Sequence, residues 1–184
     1  MAAAVHEVYR KLGRETGDLK SELDKPLSKL TAAMQESNRQ AAMRMPDVLA
    51  VAGLTIAKGR ATADHDRRVR QHIEFHLELL AEEEHERWMK WMTSQGYEYG
   101  RERTPPDEVR KRAEQRKQGE DVKSQHPSML PFAQLEEADR VKDRTTVRNY
   151  PAYVRLVGKH IELPLTPDPS ARPPATPRSP GSSR

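Results

Sequence analysis

The chain has 184 residues, of which 33% are charged and only 5% aromatic. That length suits one core with flexible ends rather than two domains, and a core so poor in aromatic rings must be built from Leu, Val, Ala and Met on amphipathic helices. With no cysteine there are no disulfides, thiol nucleophiles or cysteine metal sites, and a net charge of +4, from 32 basic against 28 acidic residues, gives no argument for nucleic acid.

The opening residues Met1 to Glu7 lack a basic stretch followed by an apolar core, so no signal peptide is expected. No window approaches the ~18 apolar residues of a membrane span. The expectation is a soluble, cytoplasmic protein that contacts no membrane.

In chain order, Val5, Val8, Tyr9, Leu12, Leu19 and Leu23 recur at helical spacing, which Gly13 and Gly17 weaken. Pro26 then stands where a second helix starts, with Leu27, Leu30, Met34, Ala41 and Met45 on one stripe, and Pro46 is expected to end it. The stretch from Asp47 to Ile56 is the most apolar in the chain and reads as a short buried helix. After a polar turn at 59–66, one long helix is expected from about Asp64 to Gln95, roughly 45 Å at ~1.5 Å per residue. His72 and His76 lie four apart on it, but no H-E-x-x-H order and no third ligand support a metal. Glu82 and His85 form a single E-x-x-H, where a di-iron bundle needs two such pairs and two further Glu residues.

The stretch from Leu77 to Gly100 organises the rest. It holds both tryptophans and two of the five tyrosines. Leu77, Leu80, Ala81, Trp88 and Met92 mark one buried stripe, Gly96 ends the helix, and Tyr97 to Tyr99 reads as a short extended piece. Trp88 and Tyr97 offer flat faces for a ring, His85 and Tyr99 can hydrogen-bond, and Arg101 and Arg103 could meet a phosphate. The plain alternative is a structural aromatic corner.

From Arg101 to Gln125 the chain is charged and nearly free of apolar residues, with eight basic against six acidic side chains. An exposed helix from Pro106 to Lys117 with i,i+4 pairing is expected, with a lid over a ligand site as the functional alternative. His126-Pro127 re-enters the core, Phe132 and Leu135 lock a turn onto the long helix, and an amphipathic helix follows to Asn149. A last short helix carries Tyr153 and Val154, and His160 to Leu163 is expected to form a strand beside Tyr97 to Tyr99. Residues 164–184 contain seven of the fourteen prolines and read as a disordered tail.

Three runs resemble the RyR domain, the repeat named from ryanodine receptors and also found in bacterial and phage proteins. They are Leu80-Ala81-Glu82 with His85-Glu86 and Trp88, then Gly96-Tyr97-Glu98-Tyr99-Gly100, and then His126-Pro127-Ser128-Met129-Leu130-Pro131-Phe132 with Leu135. Glu36 to Ala41 is similar to an E-S-N-R-x-Q-A run that precedes such domains, one residue tighter. The resemblance implies a mainly α fold with one or two short strands: an N-terminal helical segment at 1–59, a RyR-like domain at 60–163 with an insertion at 101–125, and the Pro-rich tail. It also implies a groove in which Trp88 stacks an adenine-type nucleotide, with His85, Glu86 and Tyr97 around it.

Glu84 and Arg87 depart from the family's apolar pattern. A buried Glu84 would need a cation, for which Arg87 and Arg140 are the candidates. Receptor repeats face each other in pairs, so this single copy implies a homodimer, a partner protein, or an N-terminal segment standing in for the second half. The reading is a non-enzymatic sensor of a nucleotide or nucleotide-derived signal, without cofactor or metal, its ligand-binding residues being His85, Glu86, Trp88, Tyr97, Tyr99, Arg101 and Arg103. The alternative is a protein-protein interaction module with no small ligand.

Overall fold

A computed structural model describes residues 1–17 and 23–164. Leu19 and nearly all of the Pro-rich tail lie outside the described residues. The fold is mainly helical, as the composition demands. Helix α1 (Ala2–Thr16) ends at Gly17, a 3-10 turn covers Leu27–Lys29, and α2 (Ala32–Ala50) starts at Thr31, whose hydroxyl accepts from the Met34 N–H. Then come β1 (Thr55–Lys58), α3 (Ala63–Phe75), α4 (Leu77–Ser94) and β2 (Tyr97–Tyr99). The chain continues through α5 (Pro106–Lys117), β3 (Ser124–His126), α6 (Glu137–Arg148), α7 (Tyr150–Arg155) and β4 (Lys159–Glu162). Among the described residues no helix is long and apolar enough to cross a membrane.

Helix α2 runs through Pro46 instead of ending there. An internal proline costs ~3 kcal/mol. Met45, Val48 and Leu49 are all fully buried on this helix, and at about 1.5–3 kcal/mol each they outweigh that cost. The apolar stretch that follows is correspondingly not a helix: it finishes α2, turns at 51–53 and becomes β1.

The expected long helix is divided at His76 into α3 and α4. The division is local, because the His76 N–H still donates to the His72 carbonyl (3.1 Å) and the Leu80 N–H to that of His76 (3.0 Å). Val69, Ile73, Leu77 and Leu80 all stay buried across it. At the far end Gly96, with φ 78, turns the chain out of α4 in a conformation that a side chain would strain.

The strands pair differently from expectation. β4 lies antiparallel to β1, with Ile161 opposite Ile56, whereas β2 pairs with β3 in parallel, with Tyr97 opposite Ser124 and Tyr99 opposite His126. A parallel pair needs a crossover of a dozen or more residues, which the charged segment with α5 supplies.

One core takes residues from both ends of the chain. Val5 and Val8 of α1 and Met45, Val48 and Leu49 of α2 pack in the same cluster as Leu80, Val147, Tyr150 and Val154. A smaller cluster of Ala81, Phe132 and Leu135 fixes the turn after His126 against α4. Helix α4 is therefore central, with α2 on one side and α6 on another.

Candidate functional site

Between the N-terminal helices and the body of the domain lies a cavity of about 430 Å³, within the ~300–1,000 Å³ typical of small-molecule sites. Val5, His6 and Tyr9 of α1, with Leu30, Met34, Asn38, Ala41 and Arg44 in and before α2, line one side. Glu84, His85 and Trp88 of α4, Arg103, His126 and Ser128, and Asp139, Lys142 and Asp143 of α6 line the other.

The helical period that buries Leu80 and Ala81 carries Glu84, His85 and Trp88 to this wall. Glu84 is buried, as its position on the stripe requires, and its cation is neither Arg87 nor Arg140. Arg44 of α2 donates from Nη2 to Glu84 Oε1 at 2.6 Å, and the Tyr150 hydroxyl donates to Oε2 at 2.7 Å. Arg87 instead pairs with Glu83 and Asp47, and Arg140 with Glu137. The Arg44–Glu84 side chains are only 11% and 4% exposed, so the pair is a buried clamp between α2 and α4. Burial, with the Glu84 charge beside it, holds the Tyr150 hydroxyl well above its ordinary pKa and keeps it a donor. The Nη1 of Arg44 is buried with no hydrogen-bond partner among the described residues.

His85 is buried, with both ring nitrogens engaged: Nδ1 at 3.1 Å from Asp143 Oδ2 and Nε2 at 2.8 Å from the Leu130 carbonyl. A carboxylate and a carbonyl only accept, so this geometry favours the ring protonated at both nitrogens. Burial opposes that charge, but the Asp143 and Leu130 bonds outweigh it and raise the His85 pKa above its ordinary value. His85 therefore holds the turn at Leu130 and α6 in place, and it has no ring nitrogen left to give a ligand.

His126 is the opposite case. The Ser128 N–H donates to its Nδ1 at 3.1 Å, which puts the proton on Nε2. Burial, and then the positive charge of Arg103, push its pKa down to about 4, so the ring is neutral near pH 7. It lies edge-on to Trp88, with ring centres 5.1 Å apart, while His85 lies tilted against the same indole at 5.4 Å. Trp88 is half-buried between the two imidazoles and borders the cavity.

Compared with known proteins, the chain matches no protein-family model and no curated protein. The site consequently rests on its own geometry. Of the seven residues singled out from sequence, His85, Trp88 and Arg103 border the cavity. Glu86, Tyr97, Tyr99 and Arg101 do not: Glu86 and Arg101 are exposed, Tyr99 is 48% exposed, and Tyr97 is half-buried on β2. No residue of α5 borders the cavity, whereas Arg103, earlier in the same charged crossover, does.

Sequence reasoning missed Arg44, His126, Asp139, Lys142 and Asp143 as cavity residues; Asn38, within the Glu36 to Ala41 run, lines it too. A demand for a cation at Glu84 was a usable signal, but its answer lay 40 positions away. Among the described residues no group of three or more His, Asp or Glu side chains could hold a metal ion. His72 donates from Nε2 to the Ala52 carbonyl at 2.9 Å and serves as a structural link.

Proposed function

We propose that the chain is a non-enzymatic, RyR-type ligand-binding module that takes a nucleotide or nucleotide-derived ligand into the cavity beside Trp88. The observation that carries this reading is the half-buried indole in the wall of a cavity large enough for a small ligand. An indole face stacks a base at ~1–3 kcal/mol, and the aliphatic residues of the N-terminal wall supply the desolvation that makes such stacking count. The resemblance to RyR repeats, in which a Trp stacks an adenine nucleotide, supports the same choice of ligand. Helices α1 and α2 stand in for the facing repeat, so the binding unit is a single chain. The lack of cysteine suits work in a reducing cytoplasm.

Tryptophan fluorescence in a Trp91→Phe background isolates Trp88. Adenine nucleotides should quench it, Trp88→Ala should abolish binding measured by calorimetry, and the complex should run as a monomer on a sizing column. A flat titration with every nucleotide would favour the competing reading, a helical module that docks protein and takes no small ligand.

A further inference from the structure

The charged side chains around the cavity are paired with one another, with one exception. Arg44 is paired with Glu84, His85 with Asp143, and Lys142 with Asp139. His126 is neutral. Arg103, exposed at the rim in the segment after β2, is the one cavity-lining cation with no ion-pair partner among the described residues. Its proximity is felt inside, because its charge acts on His126. Deeper in the wall, the buried Nη1 of Arg44 is a donor that the described residues leave unmatched. Buried donors in folded proteins are almost always matched, so an unmatched one beside a cavity points to an acceptor brought by a ligand.

We infer that the cavity selects a ligand with a single negative charge, of the phosphodiester type, held at Arg103, whose remaining polar groups are neutral and include an acceptor. This rests on the nucleotide reading above and narrows it to cyclic or otherwise diesterified nucleotides over polyphosphates. A second or third phosphate has no free cation to meet. Arg44 is already neutralised by Glu84 through Nε and Nη2, so its Nη1 can add a hydrogen bond to a ligand but no net positive charge, and the charge of Lys142 is likewise matched by Asp139. Nor can His126 become a counter-charge near neutral pH. The Nε2–H of His126 and the Nη1 of Arg44 are instead neutral-ligand contacts, suited to ring nitrogens or carbonyl and hydroxyl oxygens.

The test compares adenosine, cyclic AMP and ATP by calorimetry on the full chain, with Arg103→Gln and Arg103→Lys alongside. Cyclic AMP should bind at least about tenfold more tightly than either adenosine or ATP. Arg103→Gln should bring cyclic AMP down to the affinity of adenosine while leaving adenosine unchanged, and Arg103→Lys should keep part of the preference. Tighter binding of ATP than of cyclic AMP, or an equal loss for all three ligands in Arg103→Gln, overturns the inference.

Failure of the nucleotide reading itself would show as no binding of any of the three. A separate arm then decides the anion site: dimethyl phosphate, which carries one negative charge, is titrated while the His126 ring is followed by NMR. Neutralising Arg103 should raise the His126 pKa in the parent protein and not in Arg103→Gln. If dimethyl phosphate leaves His126 unmoved in the parent protein, the monoanion site is wrong whatever the nucleotides do.

Discussion

The two sides of the cavity are built from different materials. The side made by α1, α2 and the turn between them supplies the aliphatic lining, Val5, Leu30, Met34 and Ala41, interspersed with His6, Tyr9, Asn38 and Arg44. The side made by α4, α6 and the segment around His126 is polar, and its groups are mostly fixed by one another: Asp143 by His85, Asp139 by Ser128 and Lys142. One side removes water and the other sets direction. Their joint is the Arg44–Glu84 pair, the one place where the aliphatic side reaches across with a charge. Interactions on the polar side gain strength from the water that the other side excludes, so neither would make a site alone.

The sharpest way to break this arrangement is at the joint. Arg44→Ala leaves Glu84 buried and uncompensated, and should cost about 3–5 kcal/mol in urea denaturation. The double variant Arg44→Met with Glu84→Leu should recover most of that loss, because no unpaired charge remains. If the double variant is as unstable as the single one, the clamp matters for packing and not for charge.

On the aliphatic side, Val8→Ala removes buried apolar surface beneath α1 and should cost about 2 kcal/mol. It should also weaken ligand binding by loosening the wall, although Val8 itself does not border the cavity.

The polar side should show itself in pH. The His85 pKa is raised in the folded state, so its contribution is fully present below the unfolded value near ~6.5 and is lost as pH rises through the folded value. His126 has the opposite sign: its folded pKa of about 4 means that folding excludes a proton the unfolded chain accepts, so stability falls as pH drops from ~6.5 toward that value. Each limb has a slope of at most about 1.4 kcal/mol per pH unit. His126→Gln should flatten the acid limb and His85→Gln the alkaline one, as read from chemical denaturation at a series of pH values.

The smallest effects belong to the residues that lie off the cavity. Glu86→Gln, Tyr99→Ser and Arg101→Gln should each change stability by less than about 0.5 kcal/mol and leave nucleotide affinity unaltered. A large effect at Tyr99 would mean that the ligand sits against β2 and not between the helices.

What could be read from sequence was what repeats locally. The stripe from Leu77 to Met92 is a 3.6-residue period, and the structure buries Leu77, Leu80, Ala81 and Met92. The exposed helix over 106–117 announced itself by Pro106 at its first turn and by charge, and α5 has those bounds. Pro46 misled because a backbone rule was weighed without the three fully buried side chains around it, and that burial is a tertiary quantity. The pairing of β4 with β1 and of β2 with β3 was not legible, since strands of three or four residues carry too little alternation to name a partner. His126 was legible only as part of the His126-Pro127 re-entry into the fold. Its place against Trp88 depends on a strand pairing that closes only after α5 has crossed over.

That crossover has a practical side. The chain leaves β2, travels outside the body through α5, and returns to β3 past Gly119, where nothing lies within 4 Å of the position a side chain would take. The tip at 118–120 is thus a natural splice point: a fluorescent reporter inserted there would hang outside the domain while staying covalently linked through β3 to His126. Such a fusion would turn events at the indole into a signal legible in a living cell.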